Sequence, residues 1–208
     1  MVIRGLGELC ITAGLVLLLF VTYELWGTGR YTEQQQSRLG DELAKSWRSP
    51  RVTTEKVKLG KGLAMIRIPR LGPKYRFVVI EGVDVADLRK GPGHYPGTAL
   101  PGQVGNFVVS GHRTTYSAPF NRVGELRAGD EILIDTRAEQ FRYRVTGRKI
   151  VKPTAVDVTA PVPEHPGRKP TERLLTLTTC HPKYSAAERM IIFAELAAET
   201  RRAAATGK

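Results

Sequence analysis

The chain has 208 residues, which is enough for one domain with a hydrophobic core and additional segments. Hydrophobic residues make up 41% of the sequence and charged residues 25%, which argues against a wholly disordered polypeptide. Lys and Arg total 32 against 20 Asp and Glu, so the net charge of +12 favours an anionic partner such as nucleic acid, anionic lipid or an acidic wall polymer.

The N-terminus carries the most apolar segment of the chain. Residues 9–23, LCITAGLVLLLFVTY, contain no charged residue, and residues 5–26 extend the segment to the roughly 20 residues that a bilayer span needs. The segment is apolar on all sides, and Tyr23 and Trp26 lie where membrane interfaces favour aromatic side chains. The alternatives are a buried helix and a cleavable signal peptide, but no A-x-A site follows the run. We predict an uncleaved anchor over residues 1–26.

The anchor predicts where the rest of the protein lies. Arg4 and the free amine precede the apolar run, and positive charge favours the cytoplasmic side of a membrane. We therefore expect a single-pass protein of the cell membrane, with its N-terminus in the cytoplasm and its body outside the cell.

A polar stalk or linker is predicted over residues 27–60. Within it, Leu39, Leu43 and Trp47 fall at helical spacing, which favours a short amphipathic helix that ends before Pro50. A loose linker is the alternative.

From residue 61 to about residue 200 the pattern is that of one mainly β domain, followed by a tail over residues 201–208. Short alternating or β-branched runs separated by Gly- and Pro-rich loops predict a barrel or sandwich. The runs cover residues 63–69, 77–83, 106–112, 131–136, 141–151 and 174–180. The last segment, residues 185–205, is rich in Ala, Glu, Arg and Leu, and its propensity favours a helix.

The two cysteines cannot form a disulfide if the anchor is correct, because Cys10 lies in the apolar segment and Cys180 in the exported body. A lone exported thiol is either a small buried hydrophobic residue or a reactive group. Cys180 and His112 each end a strand-like run, so a shared barrel rim would bring them together as a thiolate–imidazolium pair. A purely structural Cys and His would give the same pattern.

Several other kinds of site lack support in the sequence. No CxxC or HExxH spacing suggests a metal site, and no glycine-rich loop matches a phosphate-binding motif. The aromatic content is low and no nucleic-acid-binding motif is present. We expect no metal, no cofactor and no nucleic-acid partner.

The chain contains, in this order, VVSGHRTTYSAPFNRV, TLTTC and ERMIIFAEL, and together these segments resemble those of the sortase family. TLTTC, at residues 176–180, resembles the TLxTC signature, and ERMIIFAEL resembles the final core strand, which opens with the catalytic arginine, here Arg189. VVSGHRTTYSAPFNRV resembles the segment around the catalytic histidine, here His112. HYPGTALPGQVGN resembles class E, and CHPKYS resembles class D or class E. The resemblance covers about residues 63–196 and favours class E, with class D as the alternative.

This resemblance implies a mainly β fold, an eight-stranded sortase-type barrel with short helices, in which residues 189–196 form a strand. It implies that Cys180 is the nucleophile, His112 the acid and base, and Arg189 the cation that stabilises the oxyanion or holds the substrate backbone. Thr179 and Tyr116 are candidate substrate-binding residues, although a packing role fits each equally well.

The resemblance also implies the reaction partners. These are secreted proteins with a C-terminal LAxTG- or LPxTG-like sorting motif, cut between Thr and Gly, and a peptidoglycan precursor or wall amine as acceptor. A membrane-anchored adaptor without enzymatic activity and a different exported thiol hydrolase are the alternative functions.

Overall fold

The apolar N-terminus forms one long helix, α1, from Val2 to Thr22. The structure is a computed structural model and describes residues 2–23, 27–48 and 57–202. Along Ile3–Thr22 the helix is long and apolar enough to cross a bilayer, and none of it is buried against the rest of the protein. A single-pass anchor is compatible with this helix, and its orientation remains a prediction. The predicted interfacial residue Trp26, the helix end at Pro50 and residues 203–208 lie outside the described residues.

The predicted stalk helix is present as α2, Thr28–Arg48, and it packs against the outside of the barrel. Leu39 and Leu43 lie one turn apart on its apolar side and form a buried cluster with Val78 and Ile80. The Gln36 side-chain amide donates to the carbonyl of Val78 at 3.1 Å and accepts from the Val78 N–H at 2.6 Å. The helix is therefore held by apolar packing and by hydrogen bonds to one strand.

Eight strands close into a barrel. They are β1 Gly62–Arg67, β2 Arg76–Glu81, β3 Gly93–His94, β4 Gly105–Ser110, β5 Glu131–Asp135, β6 Glu139–Val151, β7 Arg173–His181 and β8 Glu188–Arg201. The order around the barrel is β1-β2-β3-β4-β7-β8-β6-β5. The β2–β3 and β4–β7 pairs are parallel and the other pairs are antiparallel. Helix α3, Val85–Leu88, lies between β2 and β3, and short 3₁₀ turns cover Pro69–Leu71, Val123–Glu125 and Val156–Thr159.

Alternation along the strands fills the interior of the barrel. Leu175 and Leu177 of β7 point into the main core, where Ala194 and Ile192 of β8 lie opposite them. Successive side chains of a strand point to opposite faces, so Cys180 lies on the outer face of β7 with Thr176 and Thr178. The mainly β fold, the eight strands and the apolar N-terminal helix are confirmed.

Two local expectations from composition were wrong. Gly93–His94 forms a strand between the runs at residues 77–83 and 106–112, where the Gly and Pro content predicts only a loop. A Cβ on Gly93 would lie 2.0 Å from the carbonyl oxygen of Gly82. Glycine therefore allows this close approach of two backbones. The segment after Glu188, helical by propensity, is a strand as far as Arg201 because β7 and β6 pair with it on its two sides.

Candidate active site

Two of the predicted site residues face each other across a strand pair. Cys180 of β7 and Arg189 of β8 are direct partners in the antiparallel ladder. Directly opposed residues project from the same face of a sheet with their Cβ atoms roughly 5 Å apart. Cys180 is a free, half-buried thiol, so it is accessible from the outer face of the barrel.

His112 leaves the sheet beside the end of the cysteine strand. The parallel β4–β7 register ends at Ser110 and Thr178, two residues before His112 and Cys180 respectively. Beyond this pair, the Gly111 N–H donates to the carbonyl of Thr178 at 3.1 Å. The Thr179 hydroxyl donates to the carbonyl of Gly111 at 2.7 Å, which places His112 on the same rim as Cys180.

The imidazole of His112 is half-buried and packs against an aromatic ring. Its centroid lies 5.0 Å from that of Tyr116, with the two planes inclined by 37°. Burial lowers the pKa of His112 below its ordinary value, and the positive charge of Arg89 lowers it further. Its Nε2 is buried and finds no hydrogen-bond partner within residues 2–23, 27–48 and 57–202. The neutral imidazole is therefore favoured, with one nitrogen uncommitted.

Arg189 borders a cleft on the outer face of the barrel. The cleft has a volume of about 90 Å³, and its lining includes Tyr95, Val151, Thr178 and Ile191. The Arg189 guanidinium donates to the carbonyls of Ala186 and Glu188 through Nη1, at 3.0 and 2.9 Å. These bonds leave its other N–H groups for a bound molecule, because a guanidinium carries five N–H donors.

Sequence reasoning missed Arg113, which follows His112 directly and is only 7% exposed. Its Nη1 donates to the sulfur of Met190 at 3.1 Å, and its Nε is buried without a partner in the part of the chain that the structure describes. Burial and the charge of Arg148 lower the pKa of Arg113, whereas negative charge on Cys180 raises it. Arg113 is therefore close enough to the thiol for an electrostatic interaction. The only sequence signal was its position next to His112.

The predicted binding residues have different surroundings. Tyr116 lies on the rim, with His112 beside its ring and the Arg89 guanidinium 5.7 Å from its centroid. Thr179 is buried on the opposite face of β7 from Cys180, and its hydroxyl is committed to Gly111. Thr179 therefore fixes the backbone at Gly111, the residue that precedes His112.

Other candidate regions do not contain these residues. A larger cleft, about 700 Å³, lies at the other end of the barrel, and its lining includes Trp47, Leu100 and Phe141. His94 is buried elsewhere, with Nδ1 2.6 Å from a Glu81 carboxylate oxygen. Among the residues that the structure describes, no three His, Cys, Asp or Glu side chains form a cluster that could hold a metal ion.

The sequence profile of the sortase domain matches residues 66–197, a stretch that contains the whole rim described above. The chain belongs to the sortase family. Sortase SrtE1 of Streptomyces coelicolor is 33% identical over 207 residues, which cover 96% of this chain and 58% of that protein. Sortase D of Bacillus subtilis is 30% identical over 182 residues, covering 83% of this chain and 86% of that protein.

A solved structure gives the same picture of the fold. The crystal structure of sortase E1 from S. coelicolor, with a tripeptide in its active site, matches with a TM-score of 0.64 and 33% identity over 74% of this chain and 98% of that chain. The predicted sortase-type barrel is confirmed, and classes E and D are both among the relatives. Family membership supports a transpeptidase function.

Proposed function

We propose that this sortase cuts the C-terminal sorting motif of secreted proteins, LAxTG- or LPxTG-like, between Thr and Gly and transfers the Thr carbonyl to a cell-wall amine. The observation that carries this proposal is the direct pairing of Cys180 with Arg189, with His112 held beside them by Gly111. Such a group of thiol, imidazole and guanidinium suits acyl transfer through a covalent intermediate.

In the first half-reaction, neutral His112 takes the proton of the Cys180 thiol, and the resulting thiolate attacks the carbonyl carbon of the motif threonine and forms a C–S bond. Arg189 donates to the oxyanion of the resulting tetrahedral species, because its fixed fork of donors suits developing negative charge. The C–N bond to glycine then breaks, and the imidazolium of His112 donates its proton to the departing amine. A thioester on Cys180 remains.

The second half-reaction reverses these roles. An amine of a peptidoglycan precursor or wall peptide attacks the thioester, and neutral His112 accepts a proton from it. The C–S bond breaks, the Cys180 thiolate leaves, and a new amide joins the secreted protein to the wall. No cofactor or metal enters the balance of either step.

The surroundings of His112 affect both steps. Its lowered pKa makes its imidazolium a stronger acid toward the leaving amine and favours the neutral base that the second step needs. Its unpartnered Nε2 is the nitrogen that we assign to proton transfer. Arg113 adds a second positive charge, which interacts with negative charge on the Cys180 sulfur.

The cleft beside Arg189 is the proposed site for the sorting peptide. It opens on the outer face of β7, where Thr178 lies two residues before Cys180 and on the same side. The tripeptide in the active site of the S. coelicolor sortase E1 supports a peptide ligand here. We propose that Tyr116 contacts the peptide near His112, while Thr179 acts through Gly111.

We propose the following organisation of the chain. Residues 1–26 form the anchor, residues 27–60 the stalk, residues 61–200 the catalytic domain and residues 201–208 the tail, with the N-terminus in the cytoplasm. Protease treatment of intact cells should then remove the exported body and leave the cytoplasmic N-terminus protected. A body that survives the protease in intact cells, but not in lysed ones, would overturn this orientation.

The experiment that tests the function uses the full chain in lipid nanodiscs with LAxTG and LPxTG peptides and a soluble amine. We expect the mass of the transpeptidation product from at least one peptide, and a thioester mass on Cys180 when the amine is omitted. Cys180→Ala is the matched control and should give neither. An adaptor would bind the peptide or wall polymer equally well with Cys or Ala at residue 180, and the absence of any product would contradict the proposal.

A further inference from the structure

The loop that carries His112 contains an unusual turn. Tyr116, Ser117 and Ala118 have positive φ angles of 53°, 57° and 41°, although none of them is glycine. This left-handed region is unfavourable for residues with a Cβ atom, and consecutive examples persist only when their surroundings hold them. Within the loop, the Ala118 N–H donates to the Thr115 carbonyl at 2.9 Å. Further support has to come from outside the loop.

The first turn of α2 supplies that support. The Ser117 hydroxyl donates to the carbonyl of Gly29 at 2.9 Å, and the Tyr116 N–H donates to the hydroxyl of Thr28 at 3.4 Å. Thr28 is buried at this contact. The residues joined here are 88 positions apart, so the start of the stalk helix fixes a turn that belongs to the barrel.

The turn formed by Tyr116, Ser117 and Ala118 also holds His112. The Tyr116 ring packs on the imidazole at 5.0 Å between centroids, and the Phe120 N–H donates to the His112 carbonyl at 3.0 Å. On the other side, the Arg89 guanidinium lies 5.7 Å from the centroid of Tyr116. Arg89 is itself tied to α2, because its carbonyl accepts from the Thr32 hydroxyl at 2.7 Å. A continuous set of contacts therefore runs from α2 through Tyr116 to His112.

We propose that the first turn of α2 is a positioning element of the active site, and that Ser117 is the residue through which it fixes Tyr116 and the His112 ring. The inference rests on the proposed role of His112. A ring displaced by about 1 Å loses alignment with the departing amine, and displacements of that size reduce turnover strongly. The stalk is thus part of the catalytic apparatus as well as a spacer.

This arrangement also ties the site to the anchor. Only residues 23–27 separate the end of α1 at Thr22 from the start of α2 at Thr28. Even when fully extended, such a connection spans about 20 Å. The rim that carries His112 therefore stays close to the end of the proposed membrane span, where an acceptor linked to lipid would be found.

The test uses the full chain in nanodiscs, with Cys10→Ser so that Cys180 is the one thiol. Ser117→Ala removes the hydroxyl that reaches Gly29 and leaves His112, Cys180 and Arg189 untouched. Ser117→Asn restores a donor in a residue type that tolerates positive φ. Gln36→Ala is the matched control, because it removes hydrogen bonds between the middle of α2 and the barrel, including those to Val78, while leaving Ser117 and Gly29 in place.

Three quantities are measured for each variant: kcat and KM with peptide and amine, the pH profile of Cys180 alkylation by iodoacetamide, and the melting temperature. We expect Ser117→Ala to lower kcat about tenfold with KM within about twofold, and to shift the alkylation profile, because the environment of His112 changes. Ser117→Asn should recover much of the loss. Gln36→Ala should lower the melting temperature at least as much as Ser117→Ala while keeping kcat and the alkylation profile.

Two results would overturn the inference. One is Ser117→Ala with an unchanged kcat and an unchanged alkylation profile. The other is a loss of kcat that follows the melting temperature equally in Ser117→Ala and Gln36→Ala, which would make α2 a structural support alone. If the parent protein turns over no peptide, the proposed function fails, but the alkylation profiles still decide whether α2 acts on the site.

Discussion

The two halves of the rim are held by different means. Cys180 and Arg189 lie on neighbouring strands, and an uninterrupted ladder from Leu174 to His181 fixes their relative positions. His112 lies in a loop, and its placement depends on side-chain contacts from α2, Tyr116 and Thr179. The strand half of the rim, Cys180 and Arg189, should therefore keep its geometry when nearby residues change. The loop half, His112, should be displaced even by substitutions that do not contact it directly.

The largest expected effect comes from the thiol. Cys180→Ala should abolish thioester formation and turnover, because no other group replaces the nucleophile. Its melting temperature should stay nearly unchanged, because the side chain is half-buried at the end of a strand. Mass spectrometry of the acyl-enzyme and thermal unfolding measure the two effects. Cys10→Ser is the control and should keep full activity.

The opposite pattern would favour a structural cysteine. A large fall in the melting temperature of Cys180→Ala, with turnover retained by the folded fraction, would mean that residue 180 fills space in the barrel. The strand half of the rim would then have no catalytic role.

Arg189 provides a second test of the strand half of the rim. Replacement by Ala should lower turnover roughly 10²–10³-fold, the usual consequence of losing one oxyanion interaction. Arg189→Lys should be almost as damaging, because Lys keeps the charge but lacks the planar fork. Binding of a non-cleavable peptide should weaken much less than turnover. Arg201→Lys, at the exposed far end of the same strand, is the control, and near-normal rates for Arg189→Lys would refute the assigned role.

The two histidines provide the next test of the comparison. His112→Ala should reduce turnover at least as much as Arg189→Ala, with little change in the free energy of unfolding. His94→Ala should lower the free energy of unfolding and leave turnover close to that of the parent. His94 is buried between the Glu81 carboxylate and the Thr98 hydroxyl, at 2.6 and 2.9 Å. Leaving these partners unsatisfied should cost about 2–3 kcal/mol of stability.

Urea unfolding and steady-state kinetics on the same preparations separate these effects. The folded His94→Ala protein should turn over peptide at close to the parent rate, because the hydrogen-bond partners of its side chain, Glu81, Thr98 and Ala99, lie away from the rim. A His94 variant that is stable but inactive would show that the site extends beyond the rim described here.

The strand half of the site was the half that the sequence could predict. Alternation in LLTLTTC places Leu175 and Leu177 inside and Cys180 outside, and the structure has this arrangement. The pairing of β8 could not be predicted from propensity, because its Ala, Glu and Arg favour a helix and only the two neighbouring strands override that preference. The resemblance to the sortase family predicted this strand and, with it, the catalytic role of Arg189.

The loop half was predictable only in part. His112 was found as a strand-end histidine and by resemblance, but the contacts that hold it depend on polar residues of α2, far away in sequence. Apolar spacing identified Leu39 and Leu43, yet the same pattern carried no information on what Thr28 and Ser117 would contact. Two-residue β3 gave no signal at all, since a strand that short has no periodicity.

The smallest expected effect concerns the charge beside His112. Arg89→Gln should raise the pKa of His112, because it removes the positive charge that disfavours the imidazolium. The rise should be only partial, since burial is the larger cause of the lowered pKa and remains. NMR titration of the His112 ring proton measures the shift. Lys90→Gln is the control, because the Lys90 ammonium is paired with Asp87 at 3.2 Å.

The same substitution should change how stability depends on pH. In the native protein, His112 binds a proton less readily than in the unfolded chain, whose histidine pKa is about 6.5. Acidification below that value therefore favours unfolding, until the pH falls past the folded-state pKa and the loss levels off. Arg89→Gln brings the two pKa values closer, so its stability should fall less than the parent's between neutral and mildly acidic pH, and His112→Ala should remove this contribution altogether. Equal losses of stability on acidification in the parent, Arg89→Gln and His112→Ala would mean that another group titrates. Arg89 would then affect the loop through its contact with the Tyr116 ring and not through its charge.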